Sequence, residues 1–165
     1  MKKLFVIRHA KSSWDNPMQN DFDRPLNKRG ERDAPRMAKR LKEKRIVPDL
    51  MLTSPANRAR TTCETFARIL NYAAEKIKTE KSLYHADEDE ILSVVKGVNE
   101  KHDEIILFGH NPGITDFVNK LTDARIDNVP TCGIVACTVE VDSWKKIAWG
   151  GGKVDFFDFP KMKVD

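Results

Sequence analysis

The chain has 165 residues, the size of one domain rather than two. Charged residues make up 33% and hydrophobic ones 40%, an ordinary soluble balance that excludes collagen-like, disordered and membrane-spanning classes. The 29 basic and 25 acidic residues leave a net charge of +4; so small and evenly spread a surplus mildly favours anionic substrates but argues against nucleic acid.

The first predicted element is a strand over Leu4-Phe5-Val6-Ile7, a short apolar run expected to be buried on both faces. That run ends at Arg8, too early for the core of a secretory leader. From Lys11 to Arg24 the chain reads as a polar loop, with Asp15-Asn16-Pro17 as a turn. A helix follows Asn27, its apolar stripe formed by Ala34, Met37, Ala38 and Leu41, with Pro35 expected in its first turn or two. Leu50-Met51-Leu52-Thr53 is a second buried strand. Ser54-Pro55 reads as the N-cap and first residue of a helix running to Leu70. A short strand near Ile77 precedes a helix opened by Asp87-Glu88-Asp89-Glu90 and closed near Gly97. Ile105-Ile106-Leu107-Phe108 is the third buried strand, Ile114 to Leu121 the last helix, and Gly133 to Val141 and Val154 to Phe159 two final strands.

Alternating strands and helices imply right-handed crossovers. The expected fold is α/β: a single three-layer domain over residues 1–165, its mostly parallel sheet flanked by helices. Cys63, Cys132 and Cys137 are odd in number and lack metal-ligand spacing, so they read as buried reduced thiols of a cytoplasmic protein, with no membrane contact.

Ligands of such sheets bind at the carboxyl ends of the strands. Arg8-His9 follow the first buried run, Ser54-Pro55 and Arg58 the second, and His110 the third. Two histidines and two arginines therefore converge without the acidic partners of a metal site. This set suits phosphoryl transfer. Guanidinium forks match phosphoryl oxygens. A neutral imidazole can attack phosphorus and later leave, and a second, protonated imidazole can stabilise the charge that builds. Arg58 and Arg60 lie about 200° apart on a helix, so only one can face the pocket, and proximity to Ser-Pro selects Arg58. His85 and His102 lie in polar surroundings with no motif and read as ordinary surface or satisfied histidines.

Arg8-His9-Ala10-Lys11, Asp23-Arg24-Pro25-Leu26 with Gly30, Ser54-Pro55-Ala56-Asn57-Arg58-Ala59-Arg60-Thr61-Thr62 and Gly109-His110-Asn111-Pro112 stand in the order of the histidine phosphatase superfamily motifs. Together they resemble the short SixA-type phosphohistidine phosphatases. The resemblance implies a phosphoglycerate-mutase-like fold and no cofactor or metal. It makes His9 the phosphorylated nucleophile, Arg8 and Arg58 the phosphoryl-binding groups, His110 the second pocket histidine, and Arg24 a further pocket residue. Ala10 stands where the commonest pattern has glycine, so the loop after His9 is expected to differ slightly in shape. Larger relatives use an acidic proton donor, for which Asp87 and Glu88 are candidates; both also suit a helix start. The expected partner is a phosphohistidine-bearing protein. A small phosphoester and a non-catalytic phosphate-binding role are the alternatives. Trp14 is placed either against a partner or in loop packing, and nothing beyond residue 125 signals chemistry.

Overall fold

The computed structural model describes residues 1–161. Its strands are β1 (Lys2–Arg8), β2 (Leu50–Thr53), β3 (Lys78–Thr79), β4 (Glu104–Gly109), β5 (Ile134–Val139) and β6 (Gly152–Asp158). The helices are α1 (Lys28–Glu43), α2 (Asn57–Ile69), α3 (Glu88–Lys96) and α4 (Gly113–Leu121). One sheet holds the strands in the order β3-β2-β4-β1-β5-β6. The first four in that order run parallel, while β5 is antiparallel to β1 and β6 to β5. The mostly parallel α/β architecture expected of the sequence is the one observed.

Alternate residues of each central strand feed opposite faces, because side chains in a strand have a period of two. Phe5, Ile7, Met51, Ile106 and Phe108 pack with Met37 and Leu41 of α1 and Phe66 of α2. Leu4, Val6, Leu52, Ile105 and Leu107 pack with Ile91 and Val95 of α3 and Phe117 and Leu121 of α4. The result is a three-layer sandwich with two apolar cores. Cys63, Cys132 and Cys137 are buried free thiols. No helix among the described residues is long and apolar enough to cross a membrane.

Local chemistry sets the helix starts. Asn27 caps α1 by accepting from the Gly30 amide at 2.9 Å, and Asp87 with Glu90 forms a reciprocal capping box on α3. Three details depart from expectation. Pro35 is the eighth residue of α1, beyond its first two turns, so the buried apolar stripe carries a helix that proline alone would disfavour. α2 begins at Asn57 rather than Pro55, with Ala56 at its N-cap; Ser54 is therefore free for another task. The charge is also uneven: residues 28–45, α1 and the two residues after it, hold nine Lys and Arg against three Asp and Glu, a net +6. Even spreading thus provides no ground for excluding polyanionic partners.

Candidate active site

The parallel register brings the ends of three strands to one edge. Arg8 of β1 lies opposite Gly109 of β4, and Thr53 of β2 opposite Phe108. Pairing continues one residue further, with His9 N–H donating to the Gly109 carbonyl and Ser54 N–H to the Phe108 carbonyl, both at 3.1 Å. His9 and His110 consequently face each other with ring centroids 5.1 Å apart. Arg58 enters from the first turn of α2, and Arg24 from the loop before α1. All of Arg8, His9, Arg24, Arg58 and His110 line one cavity of about 240 Å³. The five expected residues meet.

His9 is buried, and its Nδ1 lies 2.7 Å from the Ala10 carbonyl. A carbonyl only accepts, so Nδ1 carries the hydrogen and Nε2 keeps its lone pair. Burial, assisted by His110, Arg58 and Arg8, pushes the His9 pKa down to about 3, and the ring is neutral near pH 7. His110 is likewise lowered to about 3, chiefly by burial and then by Arg58. Without an anion beside it, His110 is therefore neutral, not the protonated imidazole expected. Its Nε2 lies 2.8 Å from Ser54 Oγ. Ser54 Oγ accepts from the Ala56 amide at 3.3 Å, and its hydroxyl hydrogen has no acceptor among the described residues other than His110 Nε2; donation there satisfies it and places the His110 hydrogen on Nδ1.

The guanidinium groups are held from behind. Arg58 donates to the Asp21 carbonyl at 2.7 Å and to Asp21 Oδ2 at 3.1 Å. Arg24 donates to Ser12 Oγ at 2.7 Å and to Asp21 Oδ1 at 3.2 Å. Tyr84 donates its hydroxyl to Asp21 Oδ2 at 2.6 Å. Burial opposes ionisation of Asp21, but the Tyr84 hydroxyl and the two arginines outweigh it and hold its carboxyl at about 2. Arg8 donates to the Val129 carbonyl at 3.1 Å. Three buried polar atoms in this cluster have no partner among the described residues: Arg8 Nε, Arg58 Nε and His110 Nδ1. Each is a hydrogen-bond donor, and an unpaired buried donor costs about 1–3 kcal/mol. Such a set is suited to a multivalent anion.

Other expectations divide. Arg60 is exposed and paired with Glu64 at 3.7 Å, as helix geometry required. Asp87 is committed to capping α3, and Glu88 to Lys120 at 3.0 Å; neither lines the cavity, which leaves both without a route to a leaving group. Trp14 is exposed, lines the cavity, and carries the Arg24 guanidinium 3.5 Å from its ring centroid. His102 stays outside the cavity; His85 is exposed, as expected, but also lines the cavity, which its lack of a motif did not suggest. Ala10 is not among the residues with positive φ. Its amide donates to Thr62 Oγ1 at 3.0 Å, and Thr62 donates to the Arg58 carbonyl at 2.7 Å.

Sequence reasoning missed Ser54, Asp21 and the stretch from Val129 to Gly133. Thr131 lines the cavity, and the Cys132 amide donates to the Arg8 and His9 carbonyls, each at 3.0 Å. The acidic charge of Asp21 beside Arg24 was the one available signal; the other residues resemble ordinary caps and loops.

Comparisons with known proteins agree with this geometry. The sequence profile of the histidine phosphatase superfamily (branch 1) matches residues 4–90. An uncharacterised chloroplastic protein of Arabidopsis thaliana is 29% identical over 153 residues, 88% of this chain and 70% of that one. The 2,3-bisphosphoglycerate-dependent phosphoglycerate mutase of Bifidobacterium longum is 40% identical over 62 residues, but these span only 25% of the mutase and 36% of this chain. Among solved structures, one assigned to the phosphohistidine phosphatase SixA of Agrobacterium tumefaciens superposes with a TM-score of 0.81 at 26% identity, covering 96% of this chain and 98% of that one. A protein histidine phosphatase SixA complexed with tungstate shares the fold at a TM-score of 0.82 and 22% identity, covering 96% of this chain and 97% of that one. These relatives support an enzyme of phosphatase or mutase type. With half of its residues under the family profile and the motif residues gathered at one strand edge, the chain belongs to the histidine phosphatase superfamily.

Proposed function

We propose that this chain is a metal-independent phosphatase that works through a phosphorylated His9 and takes phosphohistidine on a protein as its substrate. The observation that carries the reading is the cluster of three partnerless buried donors on Arg8, Arg58 and His110 around the neutral His9. A phosphoryl group bears about two negative charges. Arg8 and Arg58 take its oxygens, Arg24 adds charge, and His110 Nδ1–H donates to a third oxygen as charge builds. His9 Nε2 attacks phosphorus in line, the substrate group departs, and water then hydrolyses the phosphoenzyme. The dianion also draws the His110 pKa upward, so its donor strengthens as the transition state is approached.

The mouth of the cavity supports a protein substrate. Trp14 is exposed and lines it, and Met18 and Phe22, further along the same polar segment, are exposed as well, as a contact surface for another chain would require. The SixA proteins it resembles are described as acting on phosphohistidine. A small phosphomonoester is the second reading, favoured by the match to phosphoglycerate mutase.

The test is a brief reaction with a phosphohistidine protein carrying labelled phosphate. Acid-labile label on His9, loss of turnover by at least about 1000-fold in His9→Ala, and an unchanged rate in EDTA are expected. Turnover that survives in the purified variant removes His9 from the role. A higher kcat/KM on a sugar phosphate than on the phosphoprotein transfers the case to the second reading.

A further inference from the structure

His85 belongs to none of the strand-end motifs, yet it lines the same cavity as His9 and His110. It is exposed, so it stands at the mouth, whereas the other two histidines are buried. Its backbone occupies the left-handed region at φ 60°, a conformation that persists for a residue with a side chain only where the surroundings enforce it. That enforcement comes from both sides. The Tyr84 ring lies 3.9 Å from the His85 ring and is itself tied to Asp21. Gly113 opens α4 against the Ala86 carbonyl so tightly that a Cβ there would come within 2.0 Å of the oxygen. Residues 84–86 are thus clamped between the Asp21 network and α4. The ring nitrogens of His85 nevertheless hold no hydrogen bond among the described residues.

A phosphohistidine donor has a proton requirement that an ester does not share. The nitrogen bonded to phosphorus accepts the bonding pair readily only if the other ring nitrogen carries a proton. Otherwise imidazolate, a far poorer leaving group, must depart. His9 meets this condition for its own later departure, because Ala10 holds its Nδ1–H in place. The substrate ring must obtain its proton elsewhere. Its free nitrogen lies across the ring from phosphorus, and so points toward the mouth when the phosphoryl group sits among the arginines.

From these placements we infer that His85 is the proton donor to the leaving group, delivering its proton to the unphosphorylated ring nitrogen of the substrate. This rests on the reading of the site given above. As the His9 Nε2–phosphorus bond forms, the substrate phosphorus–nitrogen bond breaks and its electron pair stays on that nitrogen. The proton of the His85 imidazolium passes to the other ring nitrogen, and neutral histidine leaves. Water then attacks phosphorus, the bonding pair returns to His9 Nε2, and the proton shed by water recharges His85. Phosphohistidine and water become histidine and phosphate, with the enzyme unchanged. Imidazole suits both transfers because its two ring nitrogens can give a proton in one step and take one back in the next. Arg8, Arg24 and Arg58 face His85 in the cavity with Asp21, Tyr84 and His110, and Asp87 and Glu88 follow it but are engaged elsewhere.

The experiment compares phosphoryl transfer to His9 by the wild type, His85→Ala and His85→Gln from two kinds of donor. One has a leaving group that needs a proton: a phosphohistidine protein, or an alkyl phosphate if the wild type prefers esters. The other is an activated aryl phosphate whose phenolate leaves unaided. Both variants should lose about 100-fold in kcat/KM on the first donor and less than about 5-fold on the second, the span expected of a general acid. Added imidazole should restore part of the rate of His85→Ala on the first donor and none on the second. Equal losses on the two donors, or no loss on either, overturn the inference. Label on His9 without donor discrimination removes His85 alone; no label from either donor in the wild type removes the site reading and this inference with it.

Discussion

Lys2 and Arg8 stand at the two ends of β1, and both draw a cation into the protein. The Lys2 ammonium has three donors and three acceptors: the Glu100 and His102 carbonyls and Asp103 Oδ1. The Arg8 guanidinium has five donors, of which one meets the Val129 carbonyl and Nε meets nothing. The same strand thus buries a saturated cation at its start and an unsaturated one at its end. A saturated buried charge serves the fold, whereas an unsaturated one keeps binding capacity for a ligand at the expense of stability.

Substitution at each end breaks this comparison in opposite directions. Arg8→Met should lower kcat/KM about 1000-fold, as removal of a transition-state donor does, while leaving the urea midpoint unchanged or raised. Lys2→Met should leave kcat unchanged and cost about 1–3 kcal/mol in urea unfolding, through the acceptors left without a donor. If Arg8→Met destabilises more than Lys2→Met, the division of labour along β1 is wrong.

The histidines extend the contrast to pH. His9 and His110 are held at about 3, against 6.5 for ordinary imidazole. Below pH 6.5 the unfolded chain therefore binds more protons than the folded one. Stability should fall as pH drops from 6.5 toward 3, by up to about 1.4 kcal/mol per unit for each ring. Urea midpoints at pH 7, 6 and 5 measure the slope, and His110→Asn should halve it. A flat profile would mean the rings are charged in the folded protein.

The smallest effect concerns the support behind the cage. Asp21→Asn keeps the shape at the back of Arg58 but removes its charge, so KM should rise about tenfold with a lesser change in kcat, the loss of one charge-assisted contact. An unchanged KM would show that the Asp21 carbonyl alone orients Arg58.

What was legible in the sequence follows the same physics. Arg8, His9, Arg58 and His110 stood out because each follows a buried apolar run, and strand ends in a parallel sheet converge. Ser54 was hidden because Ser-Pro before a helix reads as a cap; only the three-dimensional approach of His110 turns its hydroxyl toward a ring. Asp21 and His85 lie in segments without periodicity, where position depends on tertiary closure rather than on neighbours in sequence. The acidic run at residues 87–90 drew attention through its charge, but that charge is spent on the N-terminus of α3 and on Lys120. The reversal of direction at β5 and β6 was not legible, since a strand of either polarity can carry the same residues and only pairing with β1 fixes its sense.

The Thr62 hydroxyl has a consequence of its own. By receiving the Ala10 amide and giving to the Arg58 carbonyl, it couples the chain segment behind the nucleophile to the helix that delivers a guanidinium. One buried hydroxyl thus ties the segment after His9 to the helix carrying Arg58, so removing it would loosen both at once.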